Sequence, residues 1–468
     1  MSDIRILFYT DFFSMVQPAS GWSITRLIKM VHSKSNGLAN VSFTLVNRHA
    51  KEGLQKLTSE RLKDFEELWV FGFIEKAEPP FTLDSEEQDA VEAWMNHGGG
   101  VLITGDHSIT RDPKKCLADH DTFFAHGRAI GDSVRRARQM RDWAGPPTAC
   151  DVGSIEARDN FNTEEGDDPD ALDSLLFDLD STPQRLLKEP IMHPLFIDGA
   201  GGRIRTFPDH QHEGKLSRLE QLDGEWPKGS APPIIVARGI DKRFPEKPRI
   251  YDLVSAWDGT KVGVGRIVAD SSFHHYIDSN LKGLNAIDCC GNPLPGSDLD
   301  RIAQYYWNLV YWLAPVARKR EIKRDLLFRA AFHPDVMEIW GTEASQLGIT
   351  ARFALHSQFG RSNLEMVFST HAEEQGDLLN QVLSWLLLQR PSGEFAGIEP
   401  QLVLGSIIQT VHDFMEANKW YDPAWIQELP SAESFINRGL QLLKTSVPET
   451  DQILEKLGPL FVDVSNQS

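Results

Sequence analysis

The sequence predicts an α/β protein built on a parallel sheet, interrupted by a long insertion and followed by a helical C-terminal domain. Three observations predict it. Short apolar runs of strand length alternate with helix-spaced segments over residues 1–110. This rhythm stops at 111 and resumes at 231, and beyond 318 only amphipathic helical spacing remains. The expected organisation is therefore a core of 1–110 and 231–317, an insertion of 111–230 that contributes to the site, and a helical domain of 318–468.

Ile4 to Tyr9 is apolar apart from Arg5 and reads as the first strand. Ile24, Leu27, Ile28 and Val31 then mark one helix face. Val41 to Val46 and Glu67 to Ile74 read as the second and third strands, with a helical stretch near Leu54 to Leu62 between them. Alternating strands and helices imply parallel pairing through right-handed crossovers. Ser85 is expected to cap an acidic first turn, Glu86-Glu87, of a helix carrying Val91, Trp94 and Met95 and ended by Gly98-Gly99-Gly100. Val101 to Thr104 follows as a strand and ends on Gly105-Asp106-His107.

The insertion holds an arginine-rich helix candidate (Arg135, Arg136, Arg138, Arg141), a Gly-Pro-Pro break at 145–147, and an acidic run from Asp159 to Asp180. That run lacks EF-hand spacing and reads as a solvated loop. Strands resume at Pro233 to Ala237, Ile250 to Trp257 and Val262 to Asp270, with Asp258-Gly259 expected to make a tight hairpin turn. Ile302, Tyr305, Leu309 and Trp312 form a helical stripe closed by Pro315.

The 468 residues are 41% hydrophobic and 25% charged, an ordinary globular composition. A net charge of −19 repels nucleic-acid backbones and anionic membrane surfaces, so neither is an expected partner. No segment reaches the roughly 20 apolar residues needed to span a bilayer. The opening residues lack the basic, apolar and small-residue pattern of a signal peptide. Cys116, Cys150, Cys289 and Cys290 show no CxxC spacing and no disulfide framework, and a reducing cytoplasm is the expected setting.

Five histidines and four acids fall into three short clusters: Asp106-His107, Asp209-His210-Gln211-His212-Glu213, and Asp270 with His274-His275. Two of these follow predicted buried strands, at the carboxyl ends where open α/β sheets collect ligand chemistry. On an extended segment His210 and His212 project from one face, as metal ligation or substrate clamping requires, although a polar surface turn gives the same pattern. Asp106-His107 fits a ligand pair or a carboxylate-oriented base, and Asp106 alone fits a helix cap. His274 and His275 cannot face the same way if extended. His274 is taken as the site residue and Asp270 as its supporting acid or a strand terminator. Asp11, past the first strand, reads as a turn residue, and the glycines form no dinucleotide fingerprint.

ELWVFGF (67–73), LDSEEQDAVEAWMNHGGGVLITGDHS (83–108) and GRIVADSSFHH (265–275) together resemble the class I glutamine amidotransferase-like superfamily, in its trehalose-utilisation-type branch. The resemblance covers roughly 1–110 and 230–315. It implies a flavodoxin-like core with an elbow after the strand ending at Thr104 and a C-terminal histidine delivered by GRIVADSSFHH. The family's nucleophilic cysteine is missing, because Gly105, Asp106 and His107 occupy that turn. Thiolate chemistry needs such a nucleophile beside a base.

The expected activity is metal-assisted hydrolysis of a small or acyl-type substrate. Asp106, His107, His210 and His212 are the metal ligands, Glu213 the general base, and His274 a proton carrier or further ligand. Zinc suits this imidazole and carboxylate set best. Two alternatives remain open. One is a non-catalytic ligand-binding or scaffold protein that kept the fold, with protein contacts through its helical domain. The other is a metal-free hydrolase with Asp106 as nucleophile.

Overall fold

The computed structural model describes residues 2–18, 20–35, 37–50, 52–72, 83–105, 131, 134–140, 170–174, 176–177, 191–198, 204, 206–208, 216, 226–241, 249–281, 297–360, 363–364, 367, 386, 399–417 and 432–443. The chain begins with β1 (Asp3–Thr10), α1 (Thr25–Ser35) and β2 (Asn40–Asn47). A small pair, β3 (His49–Ala50) and β4 (Gly53–Leu54), leads to α2 (Ser59–Leu62), β5 (Glu67–Phe71), α3 (Ser85–Met95) and β6 (Gly100–Thr104). Next come β7 (Asp170–Ser174), β8 (Leu176–Phe177), β9 (Ile191–Met192), β10 (Thr206–Phe207), β11 (Ile234–Asp241), β12 (Arg249–Trp257) and β13 (Ile267–Asp270). The helical region comprises α4 (Asp298–Leu313), α5 (Val316–Ala331), α6 (Pro334–Glu338), α7 (Ala344–Phe359), α8 (Pro400–Ala417) and α9 (Ala432–Leu443).

Among the described residues the main sheet runs β10-β7-β11-β12-β13-β6-β5-β1-β2. Strands β13, β6, β5, β1 and β2 are parallel to their neighbours in this set. Counted in chain order, the five stand as 2-1-3-4-5, the flavodoxin-like order, with its topological switch between β1 and β5. β12, β11, β7 and β10 extend the sheet antiparallel. Two strands between 111 and 230, β7 and β10, thus join the sheet beyond β11.

Alternation divides the core. Ile4, Ile6, Phe8, Trp69, Phe71, Leu102 and Val268 face α1 and α4, in a buried cluster that runs on into the C-terminal helices. Leu7, Tyr9, Leu68, Val70, Val101, Ile103 and Ala269 face α3. Strands buried on both faces explain the continuous apolar runs, as parallel sheets require.

The structure corrects three local expectations. Asp84, not Ser85, caps α3: its carboxylate accepts from Glu87 N at 2.9 Å while Glu87 Oε2 accepts from Asp84 N at 3.1 Å, a full capping box. The stretch from Leu54 to Leu62 is helical only over α2, capped by Thr58, because Gly53 at φ +117° turns the chain back into the β3–β4 pair. Asp258-Gly259 does not close a two-residue hairpin. Asp258 accepts from Thr260 N (2.9 Å), starting a 3-10 turn over Thr260–Val262, and β13 begins only at Ile267. The longer connection lets Gly265 pass against Gly99, where a Cβ would lie 1.9 Å from the carbonyl oxygen.

At the amino edge Arg5 and Arg318 both pair with Glu66 at 3.0 Å, tying β1, β5 and α5 together. Its neighbour Glu67 is fully buried and accepts from Trp69 Nε1 at 2.8 Å. Burial, only partly opposed by that hydrogen bond, holds the Glu67 carboxyl well above its ordinary range. The folded protein therefore keeps a proton that the unfolded chain releases above its ordinary pKa of 4.5, so the stabilisation is complete below that pH and is lost as the pH rises towards the folded-state value. Glu67→Gln, which preserves the neutral shape, should gain on wild type by up to about 1.4 kcal/mol per pH unit between pH 5 and 8 in urea unfolding. Parallel pH profiles for the two proteins would show that Glu67 is ionised in the fold.

α7 and α8 cross at glycines. A Cβ on Gly348 would sit 1.8 Å from Gln401 O, and one on Gly405 1.6 Å from Ala344 O. Both clashes are with backbone, so the helices must separate to admit a methyl group. Gly405→Ala should cost about 1 to 3 kcal/mol despite its better helix propensity, read as a lower urea midpoint; a gain in stability would mean that the helices pack with slack.

Candidate functional site

The carboxyl ends of the parallel strands carry a polar row on the face that otherwise buries the α1 and α4 core. Asn47, Thr10, Phe71 and Thr104 are successive register partners across β2, β1, β5 and β6, and Asp270 ends β13 on the same face. Two residues earlier the same rows hold Leu45, Phe8, Trp69, Leu102 and Val268. The period of two keeps these positions on one face, so polarity there marks the sheet end and not a change of face.

Asp270 organises the row. It is fully buried, and its Oδ1 accepts from His275 Nδ1 at 2.7 Å and from Ser272 N at 3.2 Å, while Oδ2 accepts from Tyr276 OH at 2.7 Å. Tyr276 OH lies 3.3 Å from Tyr305 OH, and Tyr306 OH donates to the His275 carbonyl. Burial first, and then the charge of Asp270, push the Tyr276 and Tyr305 hydroxyls well above their ordinary pKa. Both therefore stay protonated through neutral pH.

Local structure explains which histidine meets the carboxylate. Ser272 caps a 3-10 turn over Phe273–Tyr276 by accepting from His274 N at 3.2 Å. The chain is thus not extended here. The turn brings His275 back over Asp270 and sends the His274 ring onto Phe273 (4.1 Å, stacked) and against the edge of Trp22 (5.6 Å). The acid expected beside His274 belongs to His275. An imidazole held by a carboxylate at Nδ1 does its chemistry through Nε2. The turn is fixed to α1 by Asp278, which accepts from Ser23 Oγ and Arg26 N, each at 2.7 Å.

On the opposite face of the switch point, Arg48 and Glu87 form a buried bidentate pair at 2.6 and 2.8 Å. Arg48 also donates to Tyr9 OH at 2.7 Å, and Tyr9 OH donates to Gln55 O at 2.6 Å. Burial pushes the Tyr9 hydroxyl up to about 12. Burial also pushes the Glu87 carboxyl up, but Arg48 and the Leu57 and Asp84 amides outweigh it and hold the group below its usual range. This pair fixes the loop after β2 to the start of α3.

Of the residues expected in the site, Asp106, His107, His210, His212 and Glu213 lie outside the described residues, as do all four cysteines, so the convergence of the three clusters is not described. Among the described residues no group of three or more His, Cys, Asp or Glu side chains could hold a metal. The hydroxyls of Tyr276, Tyr305 and Tyr306 were not anticipated. Their signal was present: Tyr276 directly follows the histidine pair, and Tyr305-Tyr306 sits on the stripe that faces it. Other histidines serve backbone: His32 meets Val41 O at 2.9 Å, and His97 and His412 meet Ala93 O and Ala331 O at 2.8 Å each.

No protein-family model matches the chain, and no curated protein matches it. Among solved structures, a cytoplasmic protein from Salmonella typhimurium LT2 is similar at 9% identity over 66% of this chain and 100% of its own, with a TM-score of 0.31. Another cytoplasmic protein from Salmonella typhimurium is similar at 8% identity, 67% and 100% coverage and a TM-score of 0.33. A putative ThuA-like protein from Bacteroides uniformis is similar at 9% identity, 66% and 92% coverage and a TM-score of 0.29. At these scores none carries an argument about chemistry, and the fold assignment rests on the strand order.

The Asp270 network makes a stability prediction. Tyr276→Phe removes one donor from the buried Asp270 carboxylate and should cost about 1 to 3 kcal/mol. Combined with Asp270→Asn, the two losses should fall short of additivity by about 0.5 to 3 kcal/mol in urea unfolding, because both remove one interaction. Simple additivity would mean that the hydroxyl and the carboxylate do not interact in solution.

Proposed function

We propose that the protein is a metal-assisted hydrolase of a small or acyl-type substrate, acting at the carboxyl edge of a flavodoxin-like, amidotransferase-like core without a cysteine nucleophile. The observation that carries this reading is the 2.7 Å bond between Asp270 and His275 Nδ1 at the end of β13. A buried carboxylate that fixes an imidazole's tautomer and orientation is the support that ligating and proton-transferring histidines receive. His275 therefore joins the proposed set as the oriented imidazole, beside His274 as proton carrier. Asp106, His107, His210 and His212 are the proposed metal ligands and Glu213 the general base. Imidazole and carboxylate donors suit zinc, which when bound supplies a water of lowered pKa.

A second reading is a ligand-binding or scaffold protein that retained the fold. It is favoured by the completeness of the Asp270 network, whose buried carboxylate already accepts from three donors. Fully satisfied polar networks also serve to specify a core.

Metal stoichiometry separates the two. Purified without a histidine tag and reconstituted with zinc, manganese or iron, the wild type should bind metal. His210→Ala and His212→Ala should each weaken binding by more than the 10 to 100-fold typical of losing a supporting residue. His97→Ala, in the exposed turn after α3, should bind as wild type does. A wild type that takes up no metal would sink the hydrolase mechanism and leave the binding protein ahead.

A further inference from the structure

Among the described residues β2 is the outer strand of the sheet. Asn40 N donates to Ser2 O at 2.9 Å and Arg48 N to Thr10 O at 2.7 Å, so the even-numbered residues of β2 turn their backbone groups towards β1. The odd-numbered residues, Val41, Phe43, Leu45 and Asn47, turn theirs outward. One outward group is covered: His32 Nε2 from α1 meets Val41 O at 2.9 Å. Among the described residues no hydrogen bond reaches Phe43 or Leu45 from the outer side.

Soluble proteins guard such edges with charge, proline, a bulge or a very short strand. The opposite edge, β10, is two residues long. Among the described residues β2 shows none of these four. It runs for eight residues, Asn-Val-Ser-Phe-Thr-Leu-Val-Asn, without a charge or a proline and in unbroken register with β1. Ser42 and Thr44 are exposed on the face away from α1.

We infer that β2 is a self-pairing edge, and that two copies of this chain associate by antiparallel β2–β2 pairing that continues one sheet into the other. The occupant follows from charge and geometry. Each copy carries a net charge of −19, which opposes self-association over most of the surface but is screened beyond roughly 8 Å at physiological salt. An uncharged strand is where two copies meet without burying like charges. A two-fold axis at Leu45 sets Leu45 opposite Leu45 and Phe43 opposite Asn47, which uses every outward group except those of Val41, where His32 already occupies the carbonyl. Such a contact closes on itself as a dimer and does not propagate.

The test is sedimentation of the full chain, of 52.7 kDa, at about 10 to 100 μM, where weak interfaces fill. Wild type should sediment as a dimer, and hydrogen exchange at the Phe43 and Leu45 amides should slow as concentration rises. Thr44→Lys and Thr44→Glu change an exposed side chain beside the axis. Each alone should weaken the dimer about tenfold or more through like-charge repulsion across the strands, with an unchanged melting curve. An equimolar mixture of the two should recover it. A wild type that stays monomeric, with Phe43 and Leu45 amides exchanging fast at every concentration, would overturn self-pairing and leave the edge to a different extended strand. A dimer indifferent to both charges would place the interface elsewhere.

Discussion

Two buried cations converge on one carbonyl oxygen, and the position of everything around α4 depends on it. Trp312 O, in the last turn of α4, accepts from Arg266 Nη1 at 3.1 Å and Lys319 Nζ at 2.7 Å. Both side chains are almost wholly buried. Positive charge at a helix carboxyl end is favourable because the last carbonyls have no helical partner. Arg266 comes from the entrance to β13 and is itself paired with Asp258 at 2.8 Å; Lys319 opens α5. One oxygen thus joins the sheet, the buried helix and the C-terminal helices. The arginine also lies over the Trp312 ring at 5.1 Å and the lysine over Tyr311 at 5.7 Å, so the aromatic faces share the charge.

That anchor reaches the candidate site through the helix. α4 is buried on every side, with Tyr305, Tyr306, Trp307, Leu309, Val310, Tyr311 and Trp312 all within the core, the signature of a helix between two packed layers. Fixing its carboxyl end sets the height of Tyr305 and Tyr306 two turns earlier, and these meet Tyr276 and the His275 carbonyl. The Asp270–His275 bond is therefore held from both ends of the chain segment that carries it: from β13 through Arg266 and from α4 through the tyrosines. An arrangement needing a fixed imidazole gains more from this than a loop-borne site would, because orientation comes from packed elements.

The parallel half of the sheet was legible because β1, β5, β6 and β13 are buried on both faces and so read as apolar runs, while β2 alternates, with Ser42 and Thr44 exposed. β5 and β6 needed only their length and their flanking turn signals. The helix over α3 was legible to within one residue of its cap, since Asp84 and Ser85 are both good caps and the capping box alone decides between them. The hairpin reading failed at Asp258-Gly259 because the dipeptide signal is local, whereas the Arg266 pairing of Asp258 and the approach of Gly265 to Gly99 are tertiary. The histidine pair was misread for a related reason. Alternation assigns sides only to extended chain, and Ser272 had already turned the backbone into a 3-10 helix. Strands β7 and β10 gave no usable pattern, because two to five residues at a sheet margin are too short for periodicity to register.

The sequence reading put the candidate site at the carboxyl edge of the sheet, and the two edges differ in what their polar residues do. At the amino edge the polar residues are committed to structure: Glu66 is shared by two arginines, and Glu67 is a neutral acid bound to Trp69. At the carboxyl edge Asn47, Thr10, Thr104 and Asp270 interrupt rows that are otherwise apolar. A buried hydroxyl or amide without a partner costs about 1 to 3 kcal/mol, and a core built only for stability would place valine or leucine at these positions. Thr104 Oγ1 and Asn47 Nδ2 are buried, and neither has a hydrogen-bond partner among the described residues. Two such atoms thus lie on one face of the carboxyl edge, on both sides of the topological switch and in the row that Asp270 ends; others, among them Glu67 Oε1, Ser255 Oγ and Trp307 Nε1, are spread over the described residues. Their row also carries the Asp270–His275 pair, and it is this shared placement that the proposed site draws on, since binding pockets bring a few polar groups together on one face.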